Sequence, residues 1–168
     1  MRYNTQMQSS RGSSQPDNSR GVWWVLLTLT ALWLLWLTLR PDRTLNSINL
    51  TPFAEHSRAL ACLLNSNCIY QRRSFWFLLI NVVGNTLVFI PFGLALAGVL
   101  PRERPAQTIG GAVLGGLLLS LIIELAQLTI PSRATDVDDL IFNTLGAAIG
   151  ALLFVWFLQP KQFKSTNE

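Results

Sequence analysis

Apolar residues in this chain gather into four long blocks, residues 21–39, 75–100, 108–130 and 140–158, with short polar stretches between them. A hydrocarbon core about 30 Å thick is crossed by roughly 20 helical residues at 1.5 Å each, and every block reaches or approaches that length. Buried helices of a water-soluble bundle would instead need polar faces recurring at helical period. Residues 25–39 offer only Thr28, Thr30 and Thr38. The pattern predicts an all-α fold, a polytopic transmembrane helical bundle of four transmembrane helices. Tight hairpin turns are expected at 101–105 and 131–138, and a longer loop at 40–74 that lies partly along the interface. Residues 1–20, rich in Ser, Gln, Asn and Arg, have little to bury and are expected to form a disordered N-terminal tail. Residues 21–158 form the membrane domain, and 159–168 a short C-terminal tail.

Composition supports this reading. Half the residues are hydrophobic (50%), 13% are charged and the mean hydropathy is +0.36, which is far from an ordinary soluble domain. The net charge of +4 does not imply nucleic acid, because the basic residues sit singly or in pairs between apolar blocks rather than in a stripe. Trp23, Trp24, Trp36, Trp76 and Trp156 fall near block ends, where interfacial aromatic belts belong. The first block is too long for a signal-peptide core and no A-x-A-like site follows it, so it reads as a retained helix. Lys and Arg divide almost evenly between the two sides. The tail residues Lys161 and Lys164 and the cysteines of the first loop favour both termini in the cytoplasm. Cys62 and Cys68 form a disulfide if that loop faces an oxidising compartment and otherwise remain thiols; sequence leaves both open. Asn49-Leu50-Thr51 is a glycosylation triplet of the kind that arises often by chance.

Polar side chains are costly within a bilayer, so those inside the blocks carry the most information. Asn81 and Asn85 share one face of the second helix, and Ser120, Glu124 and Gln127 share one face of the third. Asp139, Asn143, Gly146 and Gly150 form a stripe on the fourth. In an antiparallel hairpin order all these groups come to the side of the first loop, which predicts a half-membrane polar pocket. Its expected lining is Asn81, Asn85, Ser120, Glu124, Gln127, Arg133, Asp136, Asp139 and Asn143. Simpler roles compete for some of them. Asp136 and Asp138 sit where a helix N-terminus favours negative charge, and Asn85 and Gln127 suit interhelical hydrogen bonding. Glu124, well inside a span, needs a partner or a proton, and Arg133, Asn81 and Asn143 are the choices at hand. Pro91 is expected to kink the second helix and to form the pocket floor. The Gly111/Gly115 and Gly146/Gly150 pairs have the spacing of close helix packing, within the protomer rather than between copies, whereas Gly98 is expected to tolerate substitution.

These residues resemble the VanZ-like family of bacterial membrane proteins. The likeness covers about residues 40–158 and rests on four motifs in order: Asn49-Leu50-Thr51-Pro52-Phe53; the Gly-Asn-Thr-Leu-Val-Phe-Ile-Pro-Phe-Gly run within 81–93; 120–127; and Arg133-Ala-Thr-Asp136-Val-Asp138-Asp139 leading to Asn143 and Gly146. Thr51 stands where the family usually has an aliphatic residue, and Ala134-Thr135 is less bulky than the usual pair. Cys62 and Cys68 are outside the pattern. The resemblance implies a multi-pass protein of the bacterial cell membrane, in a family named for a component that lowers sensitivity to teicoplanin, with no established reaction or substrate attached.

The function expected is therefore a non-enzymatic envelope factor that binds a lipid-linked envelope precursor or an amphipathic glycopeptide in the pocket, with membrane lipids as its other partners and neither cofactor nor metal. An intramembrane hydrolase or transferase, with Glu124 as general base and Asp136 or Asp139 holding a divalent cation, is the second possibility. A small transporter or accessory subunit is the third. No Ser-His-Asp order, HExxH or Walker-type loop is present, and His56, the single histidine, is expected to be an exposed loop residue.

Overall fold

The computed structural model describes residues 18–39, 48–130 and 135–158. Four helical stretches in it are long and apolar enough to cross a membrane: Arg20–Thr38, Gln71–Val99, Pro105–Gln127 and Val137–Leu158. The first is α1 (Asn18–Thr38). Its threonines are accommodated because their hydroxyls donate back to helix carbonyls, Thr28 to Trp24 O at 2.9 Å and Thr38 to Leu34 O at 2.7 Å. The second is built from α3 (Gln71–Leu78), a π-helical segment at Leu79–Gly84 and α4 (Asn85–Val99), with Pro91 inside α4. The third is α5 (Pro105–Gln127), which opens on a proline at its first turn. The fourth is α6 (Val137–Leu153), continued by a π-helical turn at Phe154–Leu158.

The first loop differs from expectation. It contains a further helix, α2 (Ala54–Leu64), which folds back on α3, and the Cys62–Cys68 disulfide closes the link between them. Two-residue strands β1 (Ile48–Asn49) and β2 (Thr135–Asp136) pair in parallel, Asn49 opposite Asp136, and so tie the first loop to the start of α6. The expected tails at 1–17 and 159–168 lie outside the described residues, while α1 itself already begins at Asn18.

Helix α4 is the centre of the bundle, packed mainly on α6 and also on α1 and α5. Small residues permit that approach. A Cβ on Gly146 would overlap the Thr86 carbonyl, one on Gly150 the Ile90 carbonyl, and one on Gly93 the Ala147 backbone. The Gly146/Gly150 face thus packs within the chain. Gly111 and Gly115 face only side-chain methyls of Leu100 and Leu96, and the close approach of α5 to α6 is Gly116 against Ala147. Gly98 departs from expectation, because the Trp23 ring occupies the space its Cβ would need. Trp23 likewise turns inward, edge-on to Phe154 at 5.2 Å, while Trp24, Trp36, Trp76 and Trp156 remain exposed. Leu34, Phe89, Phe92 and Ile123 form one buried cluster, and Ala97, Ala112, Ala151 and Phe154 another.

Candidate functional site

The polar residues meet where α5 ends and α6 begins, and the first loop closes over them. The start of α6 organises this end of the bundle. Asp136 caps the helix, its Oδ1 accepting the Asp138 N–H at 3.0 Å. The same carboxylate accepts both hydrogen bonds of the Asn49 amide, at 3.1 and 3.2 Å, while Asn49 Oδ1 accepts the Thr51 N–H. The backbone N–H of Asp136 donates to Glu124 Oε2 at 3.2 Å. Glu124, 6% exposed, therefore fastens the end of α5 to the start of α6. Arg133, the partner sequence offers it, lies outside the described residues.

One turn deeper, Asn85 Nδ2 donates to Asp139 Oδ1, joining α4 to α6. Asn143 Nδ2 donates to Ser120 Oγ at 2.9 Å, joining α6 to α5. Gln127 Nε2 donates to the Thr38 carbonyl at the end of α1, at 3.0 Å. All four membrane stretches thus contribute to one hydrogen-bonded belt. Two acceptors in it, Gln127 Oε1 and Asn143 Oδ1, are buried with no hydrogen-bond partner among the described residues. Asn81 stands apart. Its amide donates to the Phe77 carbonyl of its own helix at 2.8 Å, within the π-helical segment, and it borders a different cleft.

Sequence reasoning missed the most buried part of the site. Asp138, assigned only to helix capping, is 0% exposed and accepts the Phe53 N–H at 2.8 and 3.0 Å. Its Oδ2 also lies 2.7 Å from His56 Nδ1. His56 is not an exposed loop residue: it belongs to the first turn of α2 and is 7% exposed. Its ring lies against Phe77 and Phe142, at 5.2 and 5.3 Å between centroids. As a carboxylate Asp138 only accepts, so Nδ1 carries the proton of this bond. The other ring nitrogen, Nε2, is buried and has no hydrogen-bond partner among the described residues. Phe53 takes the left-handed backbone conformation, φ 58° and ψ 9°, which is costly for a bulky side chain. The bonds from its N–H to Asp138 help to hold it there.

Beside the belt lies a cavity of about 380 Å³ between the end of α5 and the start of α6. Leu121, Leu125, Leu128, Val137, Leu140 and Leu50 wall it, together with apolar parts of Glu124 and Asp136, so that its surface is apolar throughout. Such a cavity accepts a hydrocarbon segment along the leucines. Among the described residues no three His, Cys, Asp or Glu side chains are gathered as metal ligands, so the divalent-cation reading has no donor set there to support it.

Comparisons with known proteins agree with the motifs. The family model described as VanZ/LLP1 matches residues 23–158. Protein VanZ of Enterococcus faecium is 34% identical over 80 residues, and that match spans 44% of this chain and 44% of the relative. No solved structure matches.

Proposed function

This chain belongs to the VanZ/LLP1 family, and from that premise we propose that it is an envelope factor of the bacterial cell membrane that binds an amphipathic ligand without chemically altering it. The observation that carries this reading is the cavity of about 380 Å³, apolar on its walls and lying beside the hydrogen-bonded belt. A ligand suited to it has an alkyl or acyl chain to lie on Leu121, Leu125 and Leu140, with its polar head outside the apolar walls. Lipid-linked envelope precursors and acylated glycopeptides of the teicoplanin type have that construction, which links the reading to glycopeptide resistance. The hydrogen-bonded belt also supports a binding role. It fixes the helix ends that bound the cavity, so binding incurs little cost in ordering them.

The membrane orientation is part of the proposal: both termini lie in the cytoplasm and the loop carrying α2 faces outward. The Cys62–Cys68 disulfide supports this, because such bonds persist on the oxidising side of a membrane.

Extraction and mass spectrometry of lipids retained by the purified chain test the binding role. Leu125→Trp fills the cavity from one wall, whereas Leu118→Trp places the same bulk on an exposed position of α5 outside it. A ligand retained by wild type and Leu118→Trp, and depleted several-fold in Leu125→Trp, is the expected outcome. Equal retention in all three, or no ligand in any, would sink the assignment.

A further inference from the structure

The second membrane stretch is longer than the other three, and its outer end carries features that the binding role just proposed does not use. Gln71–Val99 has 29 residues, against 19, 23 and 22 elsewhere. At 1.5 Å each they run about 43 Å, enough to cross the hydrocarbon core and the headgroup layers on both sides. Chemistry along the first turns changes in step with that depth. Val83, Ile80 and Trp76 are exposed and carry the lipid-facing surface outward along the helix. Arg72 and Arg73, also exposed, stand about one turn beyond Trp76 and roughly 11 Å beyond Ile80.

This face is concave. A cleft of about 640 Å³ runs along it, with Ile69 and Tyr70 as its outer rim, Arg72 and Arg73 next, Trp76 and Ile80 deeper, and no carboxylate in its lining. The rim is fixed by the link between α2 and α3. The Cys62–Cys68 disulfide closes that link, the Cys68 N–H donates to the Asn65 carbonyl at 3.0 Å, and the Gln71 amide donates to the same carbonyl at 2.8 Å. The ion pair on α2 joins Glu55 to Arg58, so it leaves Arg72 and Arg73 without a carboxylate partner among the described residues.

We propose that this cleft binds an anionic glycerophospholipid of the surrounding leaflet, with its phosphate at Arg72 and Arg73 and one acyl chain along Trp76 and Ile80. The two ends of the cleft select the two ends of the ligand. Guanidinium groups bind phosphate oxygens in pairs, and the ring of Trp76 suits the junction between headgroup and chain. A soluble anion would leave the apolar wall uncovered, and a zwitterionic head would bring its ammonium to the same two cations.

Native mass spectrometry of the full chain in detergent tests this, with phosphatidylglycerol, phosphatidylcholine of the same acyl chains, or glycerol phosphate added. Phosphatidylglycerol should be retained about tenfold more than phosphatidylcholine, and glycerol phosphate not at all. Combining Arg72→Gln with Arg73→Gln should bring phosphatidylglycerol down to the phosphatidylcholine level, with thermal unfolding unchanged. Trp76→Ala should lower the retention of both lipids. Arg104→Gln, which removes a cation before α5 at the opposite end of the bundle, should behave as wild type. A preference that persists in the double arginine variant, or falls equally in Arg104→Gln, would show unspecific boundary lipid only and overturn the proposal. Undiminished retention in Trp76→Ala, or glycerol phosphate held as tightly as phosphatidylglycerol, would overturn it too. A lipid lost with the arginines belongs to this cleft, and one lost with Leu125→Trp to the cavity between α5 and α6, so the two readings fail separately.

Discussion

Removing the Asp138 carboxylate should unfold this end of the protein more than any other single change in the polar belt. Asp138→Ala leaves two donors without their acceptor: the Phe53 N–H, bonded at 2.8 and 3.0 Å, and the buried His56 Nδ1, at 2.7 Å. A hydrogen bond to a charged group contributes roughly 1.5–3 kcal/mol. Because both donors share one carboxylate, their losses do not simply add, and the expected cost is about 3–4 kcal/mol. Asp138→Asn is informative because it keeps the shape. Its carbonyl oxygen, in the place of Oδ2, can still accept from both Phe53 and His56, while its NH₂ takes the place of Oδ1 and faces the Phe53 N–H. That exchange should cost about 1–2 kcal/mol. Reversible denaturant unfolding in detergent, followed by circular dichroism, gives the free energies. An Asp138→Ala variant within about 1 kcal/mol of wild type, or an Asn variant as damaging as Ala, would show that Asp138 does not hold Phe53 and His56 as described.

Three further outcomes are expected. Gly146→Ala and Gly98→Ala should each lower stability by about 1–3 kcal/mol, one against the Thr86 carbonyl and the other against Trp23, while Gly110→Ala, with nothing near its Cβ position, should be neutral or slightly stabilising; thermal melts of the three in one detergent check the order. An impermeant thiol reagent applied to intact cells after mild reduction should label Cys62 or Cys68, and labelling that appears only after permeabilisation would reverse the proposed topology. Glu124→Gln retains an acceptor for the Asp136 N–H and should fold normally yet lose retained ligand, whereas Glu124→Ala should lose stability as well; a Gln variant that retains ligand as wild type does would make Glu124 structural only.

The sequence displays the four membrane stretches because hydrocarbon thickness imposes a length that any twenty-residue apolar block declares. Helical spacing likewise places Glu124, Gln127, Ser120, Asn85 and Asn143 at one end of the bundle, since each face follows from 3.6 residues per turn. What spacing cannot supply is the partner across helices. Gly98 and Gly146 look alike along the chain, and only the position of α1 puts the Trp23 ring against one of them. His56 was hidden for a related reason: its partner Asp138 is 82 residues away, and α2 is short and flanked by polar loop residues. One signal was available. Three aspartates crowd the N-cap and first turn of α6, more than a single N-terminus needs for capping, and one of them, Asp138, is the buried acceptor. Asn81 shows the converse, because sharing a face with Asn85 did not prevent the π-helical turn from directing its amide to its own backbone.

The bonds that close the first loop over the bundle also set an order of assembly. Asn49, Phe53 and His56 are synthesised early, yet their acceptors, Asp136 and Asp138, leave the ribosome more than eighty residues later, at the head of the last membrane stretch. Until α6 is inserted, Phe53 lacks the acceptor that helps hold its left-handed backbone, and the His56 imidazole lacks the carboxylate that orients it. Each nascent chain therefore passes through a period in which three stretches have crossed while the loop between the first two is still without its final contacts. Insertion of α6 is the event that fixes that loop, so quality control acting on the loop would read, from one face of the membrane, whether α6 has arrived.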